Sequence, residues 1–599
     1  MSLLLNPRDI DFILYELLDT EGLLATDFYG QHDRETFNAV IDSARRLAEE
    51  QFAPHAARLD ANEPTFDGER VHIIDETRVA IDAFVESGFM GIAANAEHGG
   101  MQLPWVVSQA ASAWFMAADV SANAYAFLTH AAINLMTQFA SEAQKQRYLL
   151  PMVEGRYFGT MCLSEPQAGS SLSDIQLRAE PTPEGHYLIK GTKMWISAGE
   201  HELSENIVHL VLAKIPGGPP GVKGISLFVV PKYRVNEDGT LGARNNIALA
   251  GLNHKMGFRG TTNTVLNFGE TGECHGWLIG EAHRGLTYMF HMMNEARVGV
   301  GMTATMSGYT GYLHSLQYAR ERPQGRLPQQ KDPTSPQVPI IQHADIKRLL
   351  LAQKAAAEGA FALVLYCAWL LDRQRTVSDA GERARVGLLL DILTPIAKSW
   401  PSEFCLEGNK HGIQILGGYG YTREFPLERF YRDNRLNAIH EGTHGIQGID
   451  LLNRKVSMQE GAAFEALLAV YRETLAEAEA VNELAEYRTA LAAAIATLEE
   501  TTAALLAVRD DGDVNRALAN ATIYLDAFGH VVMAWMWLRQ ALTAKRALPA
   551  AQGDDADFYR GKLQACRYFF RYELPRVAER CALLATADAT CLETQENWF

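Results

Sequence analysis

Residues 414–447 read QILGGYGYTREFPLERFYRDNRLNAIHEGTHGIQ, and two patterns overlap in them. The first is His440-Glu441-Gly442-Thr443-His444, the H-E-x-x-H spelling in which two histidines hold zinc and the glutamate serves as base. Asp450, six residues after His444, even fills the third-ligand slot of the longer zinc spelling. That spelling needs a continuous helix to bring both imidazoles to one face, and Gly442 and Gly445 weaken one. Gln447 also stands where the longer spelling has glycine. The second pattern is wider: Gln414, Gly417, Gly418, Gly420, Tyr421, Glu424, Arg429 and Asp433 precede Glu441 at fixed offsets.

The chain around this stretch has 599 residues, 47% hydrophobic and 21% charged, which excludes a disordered chain and implies three or four domains. A net charge of −18 gives no general attraction for nucleic-acid phosphate. Seven cysteines without a C-x-x-C pair read as reduced thiols, not a disulfide frame or a thiolate metal site. The start, MSLLLNPRDIDFILYELLD, shows no basic n-region or apolar h-region, and no uninterrupted apolar run reaches a membrane span. A cytoplasmic enzyme is expected.

The texture changes along the chain. Residues 1–158 read as helix with an N-terminal arm whose stripe is Leu4, Ile10, Phe12, Ile13, Leu17 and Leu18. A helix over ETFNAVIDSARRLAEEQFAPHA is expected to stop at Pro54, and Ser141 with Gln144 spells a capping box. Residues 159–285 carry short β-rich runs between Gly, Pro and Asn turns, read as an antiparallel barrel or sandwich. Residues 286–455 return to helical periodicity, with a bundle helix over 344–372 and a Pro/Gln-rich loop over 321–339. Residues 456–599 form a further Ala- and Leu-rich helical block with 21 acidic and 13 basic residues.

Two β-region stretches carry site chemistry. In MCLSEPQAGSSLSD (161–174), small residues and open backbone N–H groups let a ribityl or pyrophosphate chain approach, and the same letters also spell an ordinary turn. In GTKMWISAGE (191–200), strand alternation puts Trp195 and Ser197 on one face, suited to a flavin ring or to a core.

Together, residues 161–174, 191–200, 294–301 and 414–447 resemble the signature regions of the acyl-CoA dehydrogenase family. The resemblance implies a multidomain α+β fold: an N-terminal helical domain, a central β-barrel or sandwich domain and a C-terminal four-helix bundle. The 456–599 block looks like the extra helical domain of the enlarged subgroup that contains methylmercaptopropionyl-CoA dehydrogenase and broad-range fatty acyl-CoA dehydrogenases. It further implies FAD as cofactor, an acyl-CoA substrate oxidised to the trans-2-enoyl-CoA, Glu441 as α-proton base, and flavin N5 as acceptor of the β-hydride. Leu163, Ser164, Gly169, Ser170, Trp195, Ser197 and Thr443 match flavin-contact positions. Arg322, Gln414, Gly417 and Gly418 match positions that reach a neighbouring subunit's FAD, implying at least a homodimer. Ser170, Asn294, Arg297 and Gly442 match substrate positions, and an electron-transfer flavoprotein is the implied electron acceptor.

Four positions depart from the family pattern: Ser171 and Asn294 replace common aspartates, His440 replaces a tyrosine, and ERPQGR lacks the phenylalanine of R-x-Q-F-G. A medium- to long-chain fatty acyl-CoA, as in the first step of β-oxidation, is the expected substrate, with a 3-methylthiopropanoyl thioester as the alternative. An acyl-CoA oxidase shares the fold, but the ending ENWF lacks a peroxisomal signal. A DNA-associated, non-enzymatic relative would need a basic C-terminal block, and this one is acidic. No metal site, nucleic acid or membrane span is expected.

Overall fold

The apolar run at 344–372 becomes the helix Ala344–Thr376 in a computed structural model that describes residues 2–599, the side chains of 291–293 aside. The chain divides into two compact units: His32–Ala296, and Met1–Gln31 together with Arg297–Phe599.

In the His32–Ala296 unit, helices Arg34–Leu47, Asp75–Glu86, Trp105–Ala118 and Val120–Phe139 precede the sheet. Phe84 and Phe115 meet edge to face at 4.9 Å, and Trp114 is fully buried. Helical structure does not stop at Pro54. A π-turn over Ala48–Phe52 and a 3-10 turn over Ala53–His55 lead into a new helix, Ala56–Ala61. Pro54 is tolerated because it sits in the first turn of that segment, where its missing N–H has no partner to lose. The Ser141–Gln144 capping box forms as expected.

The first strand of the eight-stranded sheet is Tyr157–Cys162, beginning two residues inside the stretch read as helical. Strand order is 247–252, 263–268, 187–197, 275–278, 225–231, 206–214, 157–162, with Arg178–Pro181 pairing both 187–197 and 206–214. That shared strand closes five strands into a barrel around Ile189, Val211, Ala213, Phe228 and Leu266. The sheet is mixed rather than purely antiparallel, since Tyr157–Cys162 runs parallel to Asn206–Lys214. The chain between these two strands is long enough for the crossover that parallel pairing requires.

In the other unit, helices Ala344–Thr376 and Ala380–Leu416 lie against each other, joined by residues of Gly285–Glu321 from Arg297 onward. The extension supplies Ala462–Ala478, Ala485–Asp510, Ala521–Ala547 and Gly553–Tyr568. Ala521–Ala547 docks closely on Ala344–Thr376: Trp537 Nε1 donates to Ala355 O at 3.0 Å, and a Cβ on Gly359 would sit 2.7 Å from that nitrogen. The N-terminal arm belongs to this unit and not with the helices that follow it in sequence. Phe12 packs on Phe558 at 5.5 Å, and Arg8 pairs with Asp555 at 2.9 Å. A π-turn over Phe12–Leu17 buries the consecutive residues Phe12, Ile13 and Leu14, where a regular stripe would leave one of them out.

Where the sequence suggests no membrane span, three helices among the described residues are long and apolar enough for one by length and composition alone. In Ala344–Thr376 and Ala521–Ala550, 83% of the apolar window is buried within the protein; in Asn482–Asp510 it is 33%. The first two therefore spend their apolar surface on the core.

Candidate active site

The residue order H-E-G-T-H does not form a helix. His440, Glu441 and Gly442 lie in a bend, and the next helix starts at His444 with Thr443 as its N-cap, accepting from Ile446 N at 3.3 Å. The two imidazoles take different partners, His440 toward Asn437 Oδ1 at 3.2 Å and His444 toward Asp526 Oδ1 at 3.2 Å. Asp450 is held by Arg297 at 2.9 Å and by Arg454 at 2.7 Å. Among the described residues no group of three or more His, Cys, Asp and Glu could hold a metal. The zinc spelling is a coincidence of letters.

What the bend builds instead is a presented carboxylate. Glu441 has φ +52° and Gly442 φ +85°, two successive left-handed residues, of which the first carries a side chain. Their carbonyls are tied down: Gln447 Nε2 donates to Glu441 O at 3.0 Å, and Lys398 Nζ donates to Gly442 O at 2.8 Å. A Cβ on Gly442 would lie 2.5 Å from Gln447 Nε2. Gly442→Ala should therefore keep the fold and lower kcat at least about tenfold, read by steady-state kinetics beside a thermal melt; an unchanged kcat would contradict this account of the bend. Burial pushes the Glu441 carboxyl above the usual carboxylate range, against the opposing pull of Lys398 and Arg297. His440 is held neutral, lowered to about 3 by burial and by Lys398.

In the same unit, Arg322 lies over the Tyr419 ring at 5.5 Å, beside the turn that begins at Gly417. Tyr419 and Tyr421 are exposed, and among the described residues nothing beyond the chain neighbours lies within 4 Å of a Cβ built on Gly417 or Gly418. Gln414 closes the preceding helix by accepting from Gly417 N–H. Sequence positions 322 and 414–418 are thus brought together as an open, cationic and aromatic surface.

The remaining expected residues lie in the His32–Ala296 unit. Trp195 is not a core tryptophan: it is 57% exposed at φ +65°, on a bulge where the pairing register shifts between Thr264 and Leu266. Simple alternation fails there, since Lys193 and Ile196, three apart, are both buried. Ser197 Oγ accepts from Asn263 Nδ2 at 3.2 Å. Leu163 and Ser164 are half-buried, and Gly169 and Ser170 are exposed, with open space around Gly169. Asn294 is half-buried on the helix that carries Arg297 three residues later.

Sequence reading missed what holds the 161–174 stretch in place. Lys193 is fully buried and donates to Leu163 O at 2.8 Å and to Glu165 Oε1 at 2.9 Å. Glu165 also accepts from Gln176 N and Leu177 N, at 2.6 and 3.1 Å. The signal was present as a lysine and a glutamate inside otherwise apolar β-runs. The helices of this unit also enclose a narrow cavity lined by Met90, Trp105, Gln109, Asn123, Phe127 and His130, with Gln109 Oε1 buried and unpartnered among the described residues.

Known proteins match this arrangement along its full length. The acyl-CoA dehydrogenase N-terminal, middle and C-terminal domains match residues 34–156, 160–270 and 283–455, and an acetyl-CoA dehydrogenase C-terminal-like domain matches 467–595. The chain is 36% identical to the 3-methylmercaptopropionyl-CoA dehydrogenase of Ruegeria pomeroyi over 591 residues, 97% of this chain and 98% of that one. It belongs to the acyl-CoA dehydrogenase family.

This acyl-CoA dehydrogenase is also 32% identical to the broad-specificity linear acyl-CoA dehydrogenase FadE5 of Mycobacterium tuberculosis, over 99% of both chains. Its fold is that of the acyl-CoA dehydrogenase complexed with FAD from Bacillus anthracis, with a TM-score of 0.73 at 20% identity, covering 94% of this chain and 90% of that one. Membership makes the protein an FAD-dependent oxidoreductase of acyl-CoA thioesters. Within the His32–Ala296 unit, an open indole face at Trp195 and the small residues at 169 and 170 suit that cofactor; in the other unit, taken by itself, the glycine turn beside Arg322 is open to a phosphate or adenosine group.

Proposed function

We propose that this acyl-CoA dehydrogenase oxidises straight-chain fatty acyl-CoA of medium or longer chain, the opening step of β-oxidation, with Glu441 as base. The observation that carries the dehydrogenation is Glu441 itself, set in a strained bend with its carboxyl raised by burial; the broad-specificity linear relative of Mycobacterium tuberculosis supports the straight-chain class. A thioester α-proton is a weak acid, so a base poised nearer working pH abstracts it faster than an ordinary carboxylate. Backbone N–H groups at the bend supply hydrogen bonds to the thioester oxygen as negative charge develops there. Bound FAD supplies the acceptor for the β-hydride.

Leu163, Ser164, Gly169, Ser170, Trp195, Ser197 and Thr443 are the proposed flavin contacts. Arg322, Gln414, Gly417 and Gly418 are the proposed contacts to a second subunit's FAD, within a homodimer. Ser170, Asn294, Arg297 and Gly442 are assigned to substrate. The burial of Arg297 in an ion pair with Asp450 supports a role through its charge beside Glu441. Electron-transfer flavoprotein as acceptor and a cytoplasmic location complete the reading; six buried thiols and one exposed thiol, all unpaired, support the latter.

A second reading, a 3-methylthiopropanoyl thioester as substrate, is favoured by two observations. One is the Ruegeria pomeroyi relative; the other is the polar share of the 32–296 cavity, where Gln109, Asn123 and His130 suit a short, sulfur-bearing chain better than a long one. A panel of butanoyl-, octanoyl-, palmitoyl- and 3-methylthiopropanoyl-CoA, assayed with an artificial electron acceptor beside O2 consumption, separates these. The expected result is highest kcat/KM with octanoyl- or palmitoyl-CoA and negligible O2 uptake. A tenfold preference for the methylthio substrate would move the assignment to the second reading, and stoichiometric O2 uptake would make the protein an oxidase.

A further inference from the structure

Lys398 is a lysine in the middle of the buried run LTPIAKSWP, on the helix Ala380–Leu416, and its side chain has no exposed surface. A buried ammonium is costly unless paired, and the usual partner is a carboxylate. Among the described residues Lys398 has no carboxylate in ion-pair range; its hydrogen bond goes to a backbone oxygen, that of Gly442, at 2.8 Å. That oxygen belongs to the residue directly after Glu441, and Gly442 O also receives Gln447 Nε2 at 3.4 Å. The charged and titratable groups facing Lys398 are Glu441 and His440 on the bend, Arg297 from the helix Gly285–Glu321, and Glu403 on its own helix. A cation placed there does two things. It fixes the Gly442–Thr443 peptide plane, one residue past the base, and it sets a positive charge near the carboxylate.

We propose that Lys398 is a positioning residue for dehydrogenation: clamped on the Gly442 carbonyl, its ammonium holds the Glu441–Gly442 bend and keeps the Glu441 carboxylate ionised under working conditions. The inference rests on Glu441 being the base. Burial brings the Lys398 ammonium down to about 7, with Glu441 pulling the other way, so charge on either group favours charge on the other. Loss of the Lys398 charge removes support from the ionised carboxylate, and the sign follows. Without a nearby cation the Glu441 carboxyl ionises only at higher pH. The acidic limb of the rate profile therefore moves up.

The test is anaerobic stopped-flow reduction of the FAD-loaded enzyme by octanoyl-CoA from pH 5.5 to 9, on the parent, Lys398→Met, Lys398→Arg and Glu441→Gln. Lys398→Met is expected to be at least about tenfold slower than the parent at pH 6, with most of that deficit recovered at pH 8.5. Lys398→Arg, which keeps the charge, is expected to restore the parent's limb at reduced amplitude. A merely structural lysine would lower the rate evenly across pH and leave the limb in place, and that result overturns the proposal. Should Lys398→Met fail to fold, the limb of Lys398→Arg decides: a limb displaced from the parent's although the positive charge is kept contradicts a charge role. If Glu441→Gln retains turnover, the base assignment fails; if it is inactive while Lys398→Met keeps the parent's limb, only the role of Lys398 fails.

Discussion

Glu441→Gln leaves FAD bound and lowers the rate of substrate-driven flavin reduction by about four orders of magnitude, the upper range for removing a general base. The amide keeps the size and planarity of the carboxyl, so the bend and its two clamped carbonyls should survive. What is lost is the ability to take a proton. The residue sits at φ +52°, a conformation costing a side-chain-bearing residue about 1–3 kcal/mol, and Lys398 and Gln447 are the groups that hold it there. Strain kept by two dedicated hydrogen bonds indicates that the direction of this carboxylate matters. Because burial raises the Glu441 carboxyl, the parent's rate should fall on acidification at a pH above the ordinary carboxylate range. Stopped-flow absorbance at the flavin band, with bound FAD measured on the same samples, checks both points. Reduction within tenfold of the parent would remove Glu441 from the mechanism.

The family-level reading was available from sequence because it rests on local spacing. The glycine turn, the Glu441 position and the helical–β–helical texture are written within short windows. Other features were not, for physical reasons. Strand alternation cannot announce a bulge, so Trp195 could be read as a core residue although it stands exposed on an irregular strand. Chain order placed the arm with its neighbours in sequence, whereas Arg8 meets Asp555 across 547 positions, a pairing no periodicity encodes. Parallel pairing of Tyr157–Cys162 with Asn206–Lys214 has no local signature either. One class of signal was visible and unused. Lys193, Glu358 and Lys398 are single charges inside apolar runs, and these three are buried with defined partners, as is Lys562, which stands among other charges in sequence. A charge at a core position is a rare choice, and each of these organises a segment that sequence reading left unexplained.

Lys562→Met should destabilise the unit that holds the arm and the extension by about 3–5 kcal/mol at pH 7, the range found for breaking one side of a buried ion pair. Lys562 has no exposed surface and bridges Asp9 of the arm at 2.5 Å and Glu358 of the helix Ala344–Thr376 at 2.8 Å. Its ammonium also lies 5.1 Å from the Phe12 ring and 5.3 Å from the Phe558 ring. Asp9 is further bonded by the Tyr309 hydroxyl, and Glu358 by Lys354, so the network is neutral as built. Removing Lys562 leaves Asp9 buried with the Tyr309 hydroxyl but without its ion-pair partner. In the parent, Lys562 and Lys354 outweigh burial and hold Asp9 below its ordinary range, so its contribution is present at neutral pH and lost only as pH falls through that lowered value. In the variant burial dominates and the Asp9 pKa rises above its unfolded value. The sign then reverses: the deficit should be smaller at pH 4.5 and grow toward pH 7, as the folded state resists ionising Asp9. Thermal melts across that range, with hydrogen exchange over residues 2–31, measure it. Adding Asp9→Asn should recover part of the loss, because the lone charge is gone while the Lys354–Glu358 pair remains. A variant that melts like the parent at pH 7, with the arm amides equally protected, would show that apolar packing of Phe12 alone anchors the arm.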